Sequence, residues 1–219
     1  MIKFMISKSF NLLLASRFHK FMISISLLDL SKCNLNSPEN CVNYLIPKQL
    51  NYFNKIKSEK RRMEYLWSRI LINKLILSLK SKAFLLDSYR DTEYGPVLLN
   101  SKENFFLSLS HSSDAIVVAV SDFPVGVDVE LMKRRDNYRD MAKLFMTSRE
   151  LKDFDHQSVD HQKKYFYNLW VSKEAIFKSL PKHEQPGLSL ANIAINSFQG
   201  SVVFFSCLSG GYAMAIAVK

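Results

Sequence analysis

Cysteine is scarce in this chain and is placed where it can do little collective chemistry. Cys33, Cys41 and Cys207 are the three present. An odd number with no close pair argues against a disulfide framework and against a zinc site of the usual ligand spacing. The five histidines are dispersed as well, and His156 and His161, five apart, do not align on one helix face as a metal pair. A reducing, cytoplasmic setting is the expectation. Long apolar runs are also missing: nothing approaches the ~20 apolar residues of a membrane-spanning helix, so no membrane partner is expected. Acidic residues are absent from Met1 to Leu28, where Lys3, Lys8, Arg17 and Lys20 punctuate apolar stretches. That pattern raises a targeting peptide, but the run Leu12-Leu13-Leu14-Ala15 is short and no clear small-residue cleavage site follows it. Residues 1–21 are read as a dispensable extension or an early start.

What the chain does have is a core and a charge. Its 219 residues are 47% hydrophobic and 12% aromatic, the composition of a globular protein with one domain or two small ones. The formal net charge is +10 and the isoelectric point about 9.5, so the surface attracts anions. Nucleic acid, an anionic membrane and an acidic protein all satisfy that sign. No recognisable nucleic-acid motif accompanies the charge, so nucleic acid stands as the competing reading and is not the expected partner.

Apolar and serine residues alternate from Met22 to Leu28, which predicts a strand. Asn34 to Asn51 reads as loop with a short helix near Pro47. Met63, Leu66, Trp67, Ile70, Leu71, Leu75 and Leu79 recur at helical spacing between Ser58 and Lys80, with Ser58 placed to cap the helix. Strands are predicted at Phe84–Tyr89, Pro96–Leu99, Asn104–Ser110, Ala115–Val120 and Val125–Leu131. Helices follow around Tyr138–Phe145, Ser148–Phe154 and Asp160–Leu180, then strands at Ala191–Ser197, Gly200–Ser206 and Tyr212–Val218.

Two short segments carry the chemistry. In Gly126-Val127-Asp128-Val129-Glu130 apolar and acidic residues alternate, so on a strand the valines face one way and the two carboxylates the other, about 6.5–7 Å apart. In Trp170-Val171-Ser172-Lys173-Glu174-Ala175-Ile176-Phe177-Lys178, read as helix, Glu174 and Lys178 are neighbours on one face. Three carboxylates, Asp128, Glu130 and Glu174, suit a magnesium ion that keeps some waters and takes its other ligands from a phosphate. Taken alone, Glu174 and Lys178 would be an ordinary helix ion pair.

Together these segments resemble the signature of the 4′-phosphopantetheinyl transferases, of the single-chain, surfactin-synthetase-activating type. The pattern Gly-Ile/Val-Asp-Ile/Val-Glu, followed by Trp-x-x-Lys-Glu-Ala/Ser-x-x-Lys, stands here without a substitution at a polar position. A third element, Ser-His-Ser, appears as Ser110-His111-Ser112.

The resemblance implies an α+β fold, a pseudo-twofold pair of similar α/β halves, each a small, mostly antiparallel sheet packed on a long helix. Here the halves would be residues 22–122 and 123–219, with the site in a crevice between them. The activity it implies is Mg2+-dependent transfer of the 4′-phosphopantetheine arm from coenzyme A to a serine of an acidic acyl or peptidyl carrier protein, releasing adenosine 3′,5′-bisphosphate. Fatty-acid, polyketide and nonribosomal peptide synthesis all present such carriers. A monomer is expected. An inactive, carrier-binding homologue is the other alternative, against which the intact acidic motif speaks.

The same resemblance assigns Asp128, Glu130 and Glu174 to the metal, with Asp128 also at the coenzyme. Glu174 becomes the general base, and Lys178 stabilises or protonates the leaving phosphate, with Lys173 as a second cation. Ser110 and His111 would hold the 3′-phosphate of coenzyme A, and Arg61, Arg62 and Arg69 would clamp nucleotide phosphates, a task suited to the planar guanidinium. Tyr94 and Gly95 match the loop against the adenine, but the usual Gly-Lys-Pro triplet is Gly95-Pro96 here, with no lysine. Glu150 reads as the acid of a capping box with Thr147, or as a helper of the base. The run Lys133-Arg134-Arg135 is placed to steer an acidic carrier.

Overall fold

The structure, a computed structural model, describes residues 8–15, 20–30, 41–78, 89–92, 95–98, 105–208 and 211–219. The chain divides into two compact units, Met1–Asp122 and Phe123–Lys219.

In the first unit, strands β1 (Lys8–Ala15), β2 (Lys20–Asp29), β5 (Phe106–Ser112) and β6 (Ala115–Ser121) form an antiparallel sheet in the order β1-β2-β6-β5. A separate pair, β3 (Tyr89–Thr92) and β4 (Gly95–Leu98), is antiparallel as well. The segment read as an extension thus contains β1, which pairs along its whole length with β2, from Lys8 opposite Leu27 to Ala15 opposite Lys20. The lack of acidic residues and the basic punctuation that raise a targeting segment say nothing of strand pairing, which depends on β2. Most of the strand predicted at Phe84–Tyr89 lies outside the described residues.

Helix α1 (Pro47–Lys55) starts on a proline, whose missing N–H would be unpaired at that position in any case, and Gln49 accepts from Ile46 N at 3.2 Å. Helix α2 (Glu59–Ser78) begins where Ser58 Oγ accepts from Arg61 N. The apolar face of α2, including Leu66, Ile70 and Leu71, packs on Ile116, Val118 and Val120 of the central strand β6. Cys41 belongs to this core at 3% exposure. Burial pushes its thiol above the ordinary range, while the Lys74 ammonium pulls it back part of the way. Because the thiolate is the reactive form, alkylation of Cys41 at pH 7.5 is expected to be slow in the native protein and fast in denaturant. Peptide mass spectrometry of iodoacetamide-treated protein measures this, and equal rates in the two states would refute the burial.

The second unit is an antiparallel sheet β7-β9-β8, from Val125–Leu131, Tyr212–Val218 and Ser201–Leu208, with three helices. Helices α3 (Tyr138–Phe145) and α4 (Ser148–Asp155) precede the long α5 (Val159–Ser179), which lies against all three strands. The strand predicted at Ala191–Ser197 is instead two 3-10 turns, Leu190–Asn192 and Ile195–Ser197. Ser189 Oγ accepts from Ala191 N and so favours a turn, and Ile193 and Ile195 pack into the helical side of the core without a strand partner. No described helix is long and apolar enough to cross a membrane.

Candidate functional site

The acidic motif sits on β7, and its alternation decides what α5 meets. Gly126, Asp128 and Glu130 oppose Ala217, Ala215 and Ala213 of β9. Those alanines belong to the core built with Val171, Ala175 and Ile176 of α5, so this is the sheet face the helix covers. Val127 and Val129 are fully buried and turn to the other face, as the sequence pattern predicts. Small residues on the floor let the helix come very close. A Cβ added to Gly126 would lie 1.9 Å from Ala175 O and 2.5 Å from Ser179 N, both backbone atoms.

That proximity brings the two motifs together. Lys178 Nζ lies 2.7 Å from Asp128 Oδ1, with Asp128 almost wholly buried and Lys178 about a quarter exposed. The Glu174 carboxyl is held above the ordinary range, first by burial and then by the like charges of Asp128 and Glu130, against the opposing pull of Lys178. Lys182, which no sequence motif singles out, is held below the usual lysine range by burial and by the Lys178 charge.

Asp128, Glu130 and Glu174 therefore share one electrostatic neighbourhood, yet among the described residues no group of three such side chains is gathered closely enough to hold a metal. The expected convergence is corrected to that extent. Three like charges repel, and Asp128 turns to the nearest cation, Lys178. The donor set remains one of hard oxygens in a desolvated place, with small alanines opposite Asp128 and Glu130, and so fits Mg2+ in chemistry.

Lys173 is elsewhere in character. It is fully buried, and its ammonium faces Glu150 Oε2 at 2.6 Å, Phe145 O at 2.9 Å and Leu190 O at 3.2 Å. An ammonium has three protons to donate, so none is left for a coenzyme phosphate, and that assignment is corrected. Glu150 forms the capping box foreseen for it: its Oε2 accepts from Thr147 N at 2.8 Å, and Thr147 Oγ1 accepts from Glu150 N at 3.2 Å. Trp170 packs edge-on against Phe145 in the core. Lys133, Arg134 and Arg135 are exposed after β7, where Tyr167 Oη accepts from Lys133 N and Arg135 Nε and so holds the loop.

The basic residues of the first unit line a groove of about 640 Å³. Arg61, Arg69 and His111 are in its walls, joined by Lys55 and Lys57, which no sequence motif singles out. Arg69 is fixed in place: its Nη1 donates to Ser68 Oγ at 2.8 Å and its guanidinium lies 4.3 Å from the Tyr65 ring centroid. Two expected members are not in the walls. Arg62 lies over the Phe53 ring at 5.6 Å, and Ser110 is buried on the face of β5 opposite to that of Leu109 and His111. Gly95 opens β4 opposite Thr92, and Tyr94 lies outside the described residues.

Residues 124–217 match the family model of the 4′-phosphopantetheinyl transferase superfamily. Over 120 residues the chain is 37% identical to a 4′-phosphopantetheinyl transferase of Bacillus subtilis, covering 53% of this chain and 51% of the relative. It is 31% identical over 120 residues to the 4′-phosphopantetheinyl transferase Sfp of Bacillus subtilis strain 168, with the same coverage. To the 4′-phosphopantetheinyl transferase psf-1 of Bacillus pumilus it is 38% identical over 95 residues, 43% of this chain and 40% of the relative. The matched region spans about half the length of the first two relatives and less of the third. The acidic strand and the Trp170–Lys178 helix both lie inside the matched region, so the similarity to the 4′-phosphopantetheinyl transferase superfamily and to the Bacillus transferases is centred on the second unit.

Proposed function

We propose that this protein transfers the 4′-phosphopantetheine arm of coenzyme A to a serine hydroxyl of an acidic acyl or peptidyl carrier protein, in a Mg2+-dependent reaction that releases adenosine 3′,5′-bisphosphate. The observation that carries this reading is the seating of α5 on β7, which sets Lys178 on Asp128 and puts Glu174 in the field of Asp128 and Glu130. Each unit having the same ingredients, an antiparallel sheet and one long helix, supports reading them as the pseudo-twofold pair of that fold.

In the transfer, the serine oxygen forms a bond to phosphorus while a phosphorus–oxygen bond of the diphosphate breaks and the bisphosphate leaves. Glu174 takes the serine proton; its raised affinity for protons suits a base working near neutral pH. Lys178 faces the charge that grows on the leaving phosphate and can return a proton to it. Asp128, Glu130 and Glu174 would hold Mg2+, which when bound supplies positive charge against the diphosphate. Lys55, Lys57, Arg61, Arg69 and His111 offer a cationic surface to the nucleotide phosphates, and Lys133, Arg134 and Arg135 steer the acidic carrier.

The test is to incubate the purified protein with coenzyme A, Mg2+ and a panel of apo-carriers from fatty-acid, polyketide and peptide synthesis, and to weigh the carriers by mass spectrometry. A gain equal to the phosphopantetheine arm on the carrier serine is expected, and its loss with chelator. No gain on any carrier overturns the reading.

A further inference from the structure

An ammonium with no solvent exposure is an expensive thing to keep, and Lys173 is one. Replacing a buried ion pair by apolar side chains is often neutral or stabilising, so stability alone does not account for it. What such a pair has and an apolar contact lacks is direction. The three acceptors of Lys173 come from three segments: Phe145 O ends α3, Glu150 stands in the first turn of α4, and Leu190 O opens a 3-10 turn. Glu150 is itself pinned by its capping box with Thr147. One side chain thus ties α5 to three neighbours at the residue before Glu174. The two face different ways, since successive helix residues are turned by about 100°. Lys173 points to α3 and α4, and Lys178, beyond Glu174, points to Asp128 of β7.

We propose that the buried Lys173–Glu150 pair is a strut that sets the rotation and height of α5, and so positions Glu174 and Lys178 over the carboxylates of β7. Lys173 is then a positioning residue and not a ligand of the coenzyme. The inference rests on the transferase reading for its kinetic consequence only; the mechanical part stands on the contacts within the second unit.

The experiment compares the wild-type protein with K173M/E150Q, which removes both charges, nearly keeps both volumes, and leaves glutamine to serve the cap. K173M alone would leave Glu150 without its ammonium and unfold readily, so it is not the deciding variant. Thermal unfolding, amide hydrogen exchange of residues 170–178, and kcat and KM for coenzyme A are measured on each. The double variant is expected to stay folded, to exchange faster at residues 170–178 than the wild type, and to lose about 10- to 100-fold in kcat with KM for coenzyme A nearly unchanged. Wild-type exchange and wild-type kcat overturn the strut. A rise in KM at constant kcat overturns it in favour of a coenzyme ligand. If the double variant does not fold, E150Q is judged by the same readings. If the wild-type protein shows no transfer, the function reading fails and the exchange rates alone decide the strut: faster exchange upholds it, unchanged exchange refutes it.

Discussion

Gly126→Ala is expected to lower the thermal midpoint sharply and to remove most of the transfer activity, although it adds a single methyl group. The methyl would meet Ala175 O at 1.9 Å and Ser179 N at 2.5 Å. Both are helix backbone, so no side chain can swing aside, and α5 has to withdraw until an ordinary contact of 3.4 Å or more is restored. Overpacking typically costs about 1–3 kcal/mol, and a backbone clash belongs at or above the top of that range. In a chain of this length that is a fall of roughly 6–12 °C in midpoint. Withdrawal also carries Lys178 off Asp128, and a displacement of about 1 Å in such groups is enough for a ~100-fold loss of rate. Calorimetry and the carrier assay together check both halves. A variant with native midpoint and native rate would mean that α5 does not sit where β7 and its alanine floor place it.

The second large effect is expected at Glu174, and here stability and activity move in opposite directions. Burial and the charges of Asp128 and Glu130 hold its carboxyl above the ordinary range, more than Lys178 lowers it. A carboxyl whose folded affinity for protons exceeds its unfolded one works against folding in full above its folded value; the cost shrinks as the pH falls through that value and is gone only below the unfolded one. At neutral pH Glu174→Gln removes that ionised group at nearly constant shape. The variant is expected to unfold at the same temperature as the wild type or higher, while transfer drops by about 100-fold or more through loss of the base. Addition of Mg2+ is expected to raise the midpoint of the wild type and to do so less for the variant, because a ligand that binds only the folded state stabilises in proportion to its affinity. Retained transfer would refute the assigned base, and a lower midpoint would refute the crowding of like charges. Functional sites commonly carry this kind of local instability.

Much of this was legible in the residues because the relevant forces are short in range. Alternation along β7 put Val127 and Val129 on one face and Asp128 and Glu130 on the other. The cap at Ser58, the short helix near Pro47 and the Thr147–Glu150 box depend on groups close to one another in the chain, and each forms as read. The same rule of alternation separates Ser110 from His111, adjacent on β5 and thus on opposite faces, a signal that was present and outweighed by the family motif.

Where reading failed, a distant segment decided. The apolar residues of Lys8–Ala15 are equally compatible with an extension and a strand until β2 is beside them. Ile193 and Ile195 suit a strand or a turn, and the sheet of the second unit, among the described residues, closes with β8 and leaves them to the helical side. Lys173 and Lys178 lie on the same helix with the same chemistry, yet one is sealed behind Glu150 and two carbonyls while the other reaches a motif on another strand.

By itself, then, the order of residues determined which strand and which helix carry the acidic groups, which way their side chains alternate, and where the helices begin. Only the tertiary structure decided which lysine stands with the carboxylates, which basic residues line the groove, and how far the three acids approach each other. The reason is physical: hydrogen bonds and backbone preferences act between near neighbours in the chain, whereas burial and charge act between groups that the packing of α5 on β7 brings together across some fifty residues of sequence.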